Sequence, residues 1–112
     1  MMYLKKNILF VCSANKDRSR TAEDYFSSKF VQHEFDSAGT NKKICFELRT
    51  QYISSELISW ADQIFVMEKK HADVIYKMAS EKVELSVLHI EDHFEYNDQK
   101  LIDILEEKVN IK

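Results

Sequence analysis

A chain of 112 residues, 45% of them apolar, has enough material for one modest core and reads as a single domain spanning residues 1–112. Its net charge of −3 argues against nucleic-acid binding, and no apolar run approaches the roughly 20 residues of a membrane span. Two cysteines exclude a secreted disulfide framework, and the apolar stretch after Lys5-Lys6 is too short for a signal peptide, so the expected compartment is cytoplasmic.

In chain order, residues 5–11 carry Ile8-Leu9-Phe10-Val11, a continuous apolar run of the kind found in a central parallel strand covered on both faces. A helix is predicted over 20–31, opened by Ser19 as a capping residue, with Ala22, Tyr25, Phe26 and Phe30 spaced near 3.6. Residues 35–40 read as a short strand ending in a turn. The state of 41–50 stays open, with Lys42-Lys43 polar and Ile44, Cys45, Phe46 and Leu48 apolar; Cys45 is assigned to the core. A helix over 51–60 follows, then a strand over 62–67. The next helix, over 68–79, is expected to turn Ala72, Ile75, Tyr76 and Ala79 inward and to carry His71 on its rim. A last strand over 83–90, a loop over 91–98 and an amphipathic helix over 101–109 complete the chain. Alternating strands and helices imply an α/β class, a doubly wound parallel sheet of about four strands flanked by helices. No repeat, linker or low-complexity segment interrupts it. The single glycine, Gly39, and the absence of proline leave the turns to Asn, Asp, Ser and Lys.

The chemistry concentrates after the first strand, in Cys12-Ser13-Ala14-Asn15-Lys16-Asp17-Arg18-Ser19. A free thiol, with a pKa of about 8.5, is a poor nucleophile at neutral pH unless a helix N-terminus, a cation or inward-pointing amides assist it. Five residues between Cys12 and Arg18 can curl so that successive amides face one centre, making an anion nest of phosphate size. Arg18 would close the ring with paired donors, and the helix after it would present its positive end. Ligands of open α/β sheets sit beyond the carboxyl ends of the strands, where this loop lies. The plain alternative for Cys12 is a buried structural thiol. Asn15 suits a left-handed position in the nest. His89 and His93 lie four apart on a strand-to-loop segment and do not converge as metal ligands, so neither metal nor cofactor is expected.

These residues resemble the low-molecular-weight protein tyrosine phosphatases. The likeness rests on Phe10-Val11-Cys12 leading into Asn15, Arg18-Ser19 and Ala22-Glu23, then on Ser37-Ala38-Gly39-Thr40, Trp60 to Glu68, and Ile90-Glu91-Asp92, in the family's order along nearly the whole chain. It implies a loop of Ser13, Ala14, Asn15, Lys16, Asp17 and Arg18 that binds phosphate and accepts inorganic phosphate or sulfate. It implies Cys12 as nucleophile through a phospho-cysteine, with Arg18 stabilising the charge, and Ser37 behind the loop holding Asn15. Ser19 can donate a hydrogen bond to the Cys12 sulfur. Asp92 would be the acid, with Glu91, Glu95 and Asp98 as competitors, and Phe94 would be the ring that stacks on the substrate, assisted by Tyr96. Three positions depart from the family: His93 stands where proline follows the acid, Asp17 where a cysteine or apolar residue stands, and Ala14 where glycine stands. The stretch from Gly39 to Thr50 also offers no obvious aromatic wall. The expected activity is hydrolysis of phosphotyrosine, on a protein or as a small aryl phosphate. Asp17 and the missing Asp-Pro pair leave a phosphate-binding regulatory module as the competing reading. An arsenate-reductase-like enzyme would need more resolving cysteines than Cys45.

Overall fold

The computed structural model describes residues 4–111. Its strands are β1 (Asn7–Cys12), β2 (Glu34–Gly39), β3 (Gln63–Val66) and β4 (Leu85–Val87), all parallel, in the order β2-β1-β3-β4. The helices are α1 (Arg18–Lys29), α2 (Lys42–Leu48), α3 (Ser55–Trp60), α4 (Lys69–Met78) and α5 (Gln99–Lys108). Among the described residues no helix is long and apolar enough to cross a membrane.

The apolar run of β1 is buried on both faces because its side chains alternate between two cores. Ile8, Phe10 and Cys12 pack with Ala22 and Phe26 of α1 and Leu101 and Leu105 of α5. Leu9 and Val11 pack on the opposite face with Ile58 of α3 and Ala72 and Ile75 of α4. The Phe10 ring stacks on Phe26, Phe35 and Phe65 at centroid distances of 5.6, 6.2 and 5.5 Å. From β1 the chain moves to β2 on one side and then to β3 on the other. The carboxyl ends of β1 and β3 therefore flank the point where strand order reverses, the usual ligand crevice of such sheets.

Several elements differ from the sequence pattern. The first helix begins at Arg18, with Asp17 and not Ser19 at its N-cap. Residues 41–50 resolve into α2, capped by Asn41 Oδ1 accepting from the Ile44 amide at 3.1 Å and ended by Arg49 at φ 57°. Residues 51–53 are not helical: the Gly39 amide donates to Gln51 O at 2.8 Å and the Ile53 amide to Gly39 O at 2.9 Å, and Ile53 enters the core. Helix α3 then starts after Ser54, whose hydroxyl accepts from the Leu57 amide at 3.1 Å. Strand β4 stops at Val87, and His89 adopts φ 56°, so that Leu88 and Ile90 both still donate backbone bonds, to Val66 O and Met67 O, at 2.8 Å each. Tyr76 is 54% exposed and not inward, while His71 is fully buried and not on a rim.

Candidate active site

The loop between β1 and α1 is pinned by its carbonyls. The Thr40 amide donates to Cys12 O at 3.0 Å, the Asn41 amide to Ser13 O at 3.0 Å, and Thr50 Oγ1 to Ala14 O at 2.6 Å. The amides of Ser13, Ala14, Asn15, Lys16 and Asp17 have no hydrogen-bond acceptor among the described residues. Asn15 supplies the left-handed turn at φ 53°, and Ala14 has no positive φ, so the loop does not need glycine there. Gly39 lies close beneath it: a Cβ at Gly39 would stand 2.5 Å from Ser13 O and 2.9 Å from Asn15 N.

A directed chain of hydrogen bonds backs the loop. Asn15 Nδ2 donates to Ser37 Oγ at 2.8 Å and to Ser19 Oγ at 2.9 Å, and Asn15 Oδ1 accepts from the Gln51 amide at 3.1 Å. Ser19 Oγ, accepting from Asn15, is left with its hydrogen for Cys12 Sγ, 3.0 Å away. Ser37 Oγ in turn donates to Glu23 Oε1 at 2.5 Å. Burial raises the Glu23 carboxyl above its ordinary range, and the Ser37 bond opposes that rise.

Arg18 is 1% exposed. Its Nη1 donates to Glu68 Oε2 at 2.6 Å and to Ile90 O at 2.7 Å, which locks the guanidinium plane from the far side. Its buried Nε has no hydrogen-bond partner among the described residues, since Asp92 Oδ1, at 3.6 Å, forms an ion pair too long to be one. The Arg18 hydrogen bond holds the Glu68 carboxyl below the usual carboxylate range. On the same turn the Glu68 amide donates to His71 Nδ1 at 3.0 Å, and His71 Nε2 lies 2.9 Å from Ser13 Oγ. Burial, followed by the nearby Arg18 cation, lowers the His71 pKa to about 4, so the ring is neutral at pH 7.

The structure thus brings together Cys12, Ser13, Asn15, Arg18, Ser19 and Ser37, with Asp92 at the mouth, 61% exposed on its side chain. Lys16 is exposed to solvent, and the Asp17 carboxylate, which has no partner among the described residues, sits at the N-cap of α1, where the helix dipole favours negative charge. The two residues expected to wall the substrate, Phe94 and Tyr96, make contacts of their own. Phe94 is partly buried against the core that holds Leu101 and Leu105 of α5 and packs on His93, with centroids 4.1 Å apart, and the Tyr96 hydroxyl bonds Asp24 of α1. Glu23, Thr50, Gln51, Glu68 and His71 belong to the site's support; Glu23 and Glu68 fall inside the blocks that carry the family likeness but are given no role there, and Thr50, Gln51 and His71 lie outside those blocks. Glu68 carries the one readable signal, a carboxylate directly after the apolar run of β3.

No protein-family model and no curated protein matches the sequence. Solved structures do match in three dimensions. The tyrosine phosphatase Wzb from Escherichia coli, solved in complex with phosphate, superposes with a TM-score of 0.73 at 21% identity over 92% of each chain. A low-molecular-weight protein tyrosine phosphatase from T. tengcongensis gives 0.70 at 19% identity over 91% of each. The arginine phosphatase YwlE from Geobacillus stearothermophilus gives 0.63 at 23% identity over 92% of each. The chain therefore has the fold of the low-molecular-weight protein tyrosine phosphatases, with its Cys12–Arg18 loop at the carboxyl end of the first strand.

Proposed function

We propose that this protein is a cysteine-dependent phosphatase that hydrolyses phosphotyrosine or a related aryl phosphate monoester. The observation that carries the reading is the set of unpartnered donors around Cys12: the amides of residues 13–17 and the buried Arg18 Nε, with Arg18 Nη1 held by Glu68. Donors fixed in this way suit the equatorial oxygens of a phosphoryl group, which carry the charge of its transition state. Cys12 Sγ attacks phosphorus, the bond to the aryl oxygen breaks, and Asp92 gives its proton to that oxygen. Water then attacks the phospho-cysteine, Asp92 takes a proton from the water, and the sulfur leaves with the bonding electron pair, steadied by the Ser19 hydroxyl. Asp92 is the best-supported acid among the loop carboxylates because its ion pair with Arg18 keeps it within reach of the same ligand.

Hydrolysis of p-nitrophenyl phosphate tests this directly. Wild type turns over, Cys12→Ser does not, and Arg18→Ala loses roughly a hundred- to a thousand-fold in kcat, the usual cost of one oxyanion donor. Asp92→Asn loses more with poor leaving groups than with good ones. Parallel assays with phosphotyrosine and phosphoarginine peptides decide the substrate class, and turnover of phosphoarginine alone would replace the aryl assignment. Retained activity in Cys12→Ser would overturn the reading.

A further inference from the structure

The β3 to α4 junction reaches the loop twice, once through Glu68 to Arg18 and once through His71 to Ser13. The second contact has no part in the mechanism above. Its direction follows from hydrogen-bond accounting. The Glu68 amide can only donate, so His71 Nδ1 must accept; a neutral ring accepting at Nδ1 carries its hydrogen on Nε2, which donates to Ser13 Oγ. The Ser13 oxygen is thereby fixed as an acceptor, and its own hydrogen has no acceptor among the described residues. Ser13 follows Cys12 directly and opens the run of unpartnered amides. His71 is wholly buried, while Ser13 is half-buried.

We infer that His71 is a positioning residue that turns the Ser13 hydroxyl into a side-chain donor for the oxyanion held in the loop. This rests on the reading of residues 12–18 as an oxyanion site, and it adds one donor that the backbone nest and Arg18 do not supply. The groups that face His71 are Arg18 from α1, Glu68 and Lys70 from its own turn, and Asp92 from the loop after β4. None of them replaces the contact to Ser13.

The test is equilibrium binding of inorganic phosphate by calorimetry, alongside kcat and KM for p-nitrophenyl phosphate. Ser13→Ala should weaken phosphate binding about ten-fold or more, as expected for one hydrogen bond to a charged group. His71→Phe should lose the same factor, and the double variant no more than either single one. His71→Gln, whose side-chain NH2 can reach Ser13 while its oxygen accepts from the Glu68 amide as a glutamine at the third helical position does, should keep phosphate affinity. If His71→Phe does not fold, Ser13→Ala and His71→Gln still decide. Unchanged binding in Ser13→Ala, losses that multiply in the double variant, or loss of binding in a folded His71→Gln would each overturn the inference. Wild type that binds phosphate without turnover would instead defeat the phosphatase reading and leave this one standing.

Discussion

Arg18 makes no use of its own flexibility. A long side chain with about 2 kcal/mol of rotamer entropy is held in one pose by Glu68 and the Ile90 carbonyl, so little ordering remains to be done when an anion arrives. Glu68→Ala should therefore lower kcat/KM for p-nitrophenyl phosphate by roughly ten- to a hundred-fold, the range for a hydrogen bond to a charged group, while Glu68→Gln keeps part of it. An unchanged Glu68→Ala would mean that Ile90 O alone orients the guanidinium. At the same scale, His71 makes a prediction about pH. An unfolded chain binds a proton on this ring near its ordinary value of 6.5 and the native state only near 4, so the contribution to stability is complete above 6.5 and is lost as pH falls towards 4. The loss is on the order of 3 kcal/mol from this group. The lowered Glu68 adds to it in acid, and the raised Glu23 runs the other way. Urea unfolding at pH 7 and in mild acid should show a markedly flatter pH dependence in His71→Gln than in wild type.

At the scale of elements, the loop depends on the segments that press against it. Gly39 ends β2 where a methyl group would collide with the carbonyl of Ser13, the amide of Asn15 and the sulfur of Cys45. Gly39→Ala should cost about 1–3 kcal/mol of unfolding free energy, as overpacking does, and should reduce turnover because the colliding atoms are loop backbone. The bend at His89 ends β4 and sends Ile90 O onto Arg18, and Lys108 of α5 supports it by donating to Leu88 O at 2.8 Å. His89→Asn should be nearly neutral there, whereas His89→Val, β-branched at a positive φ, should cost about 1–2 kcal/mol in the same unfolding measurement. These elements also show what a sequence pattern can and cannot convey. The β1 run, the Cys12 to Arg18 spacing and Asn15 at the turn were legible because their signals are local. The contacts of Glu68 and His71 were not, because the partners lie 50 and 58 residues away and become neighbours only when β3 pairs with β1. The helix expected over 51–60 lost its first turn to bonds with Gly39 and Asn15, a tertiary demand that overrode local periodicity. Tyr76 and His71 were exchanged between core and surface for the same reason: the spacing of α4 fits either face until the loop claims one.

At the scale of the whole molecule, the strand order turns a short chain into a rigid crevice. β1 delivers the sulfur and β3 delivers the groups that hold Arg18 and Ser13. The two strands are hydrogen-bonded neighbours, with Ile8 to Val11 paired to Gln63 to Val66. The cores on the two faces then fix α1 and α4 relative to one another across the sheet, so the nest keeps its shape without glycine inside it or proline beside Asp92. What the account claims above all is that the sulfur in this crevice takes the phosphoryl group. Rapid acid quench during turnover of an aryl phosphate by Asp92→Asn, in which breakdown of the intermediate is slowed, followed by peptide mass spectrometry, reads that step. The account predicts a phosphoryl adduct on Cys12; turnover with no adduct, or with the adduct on another residue, would contradict it.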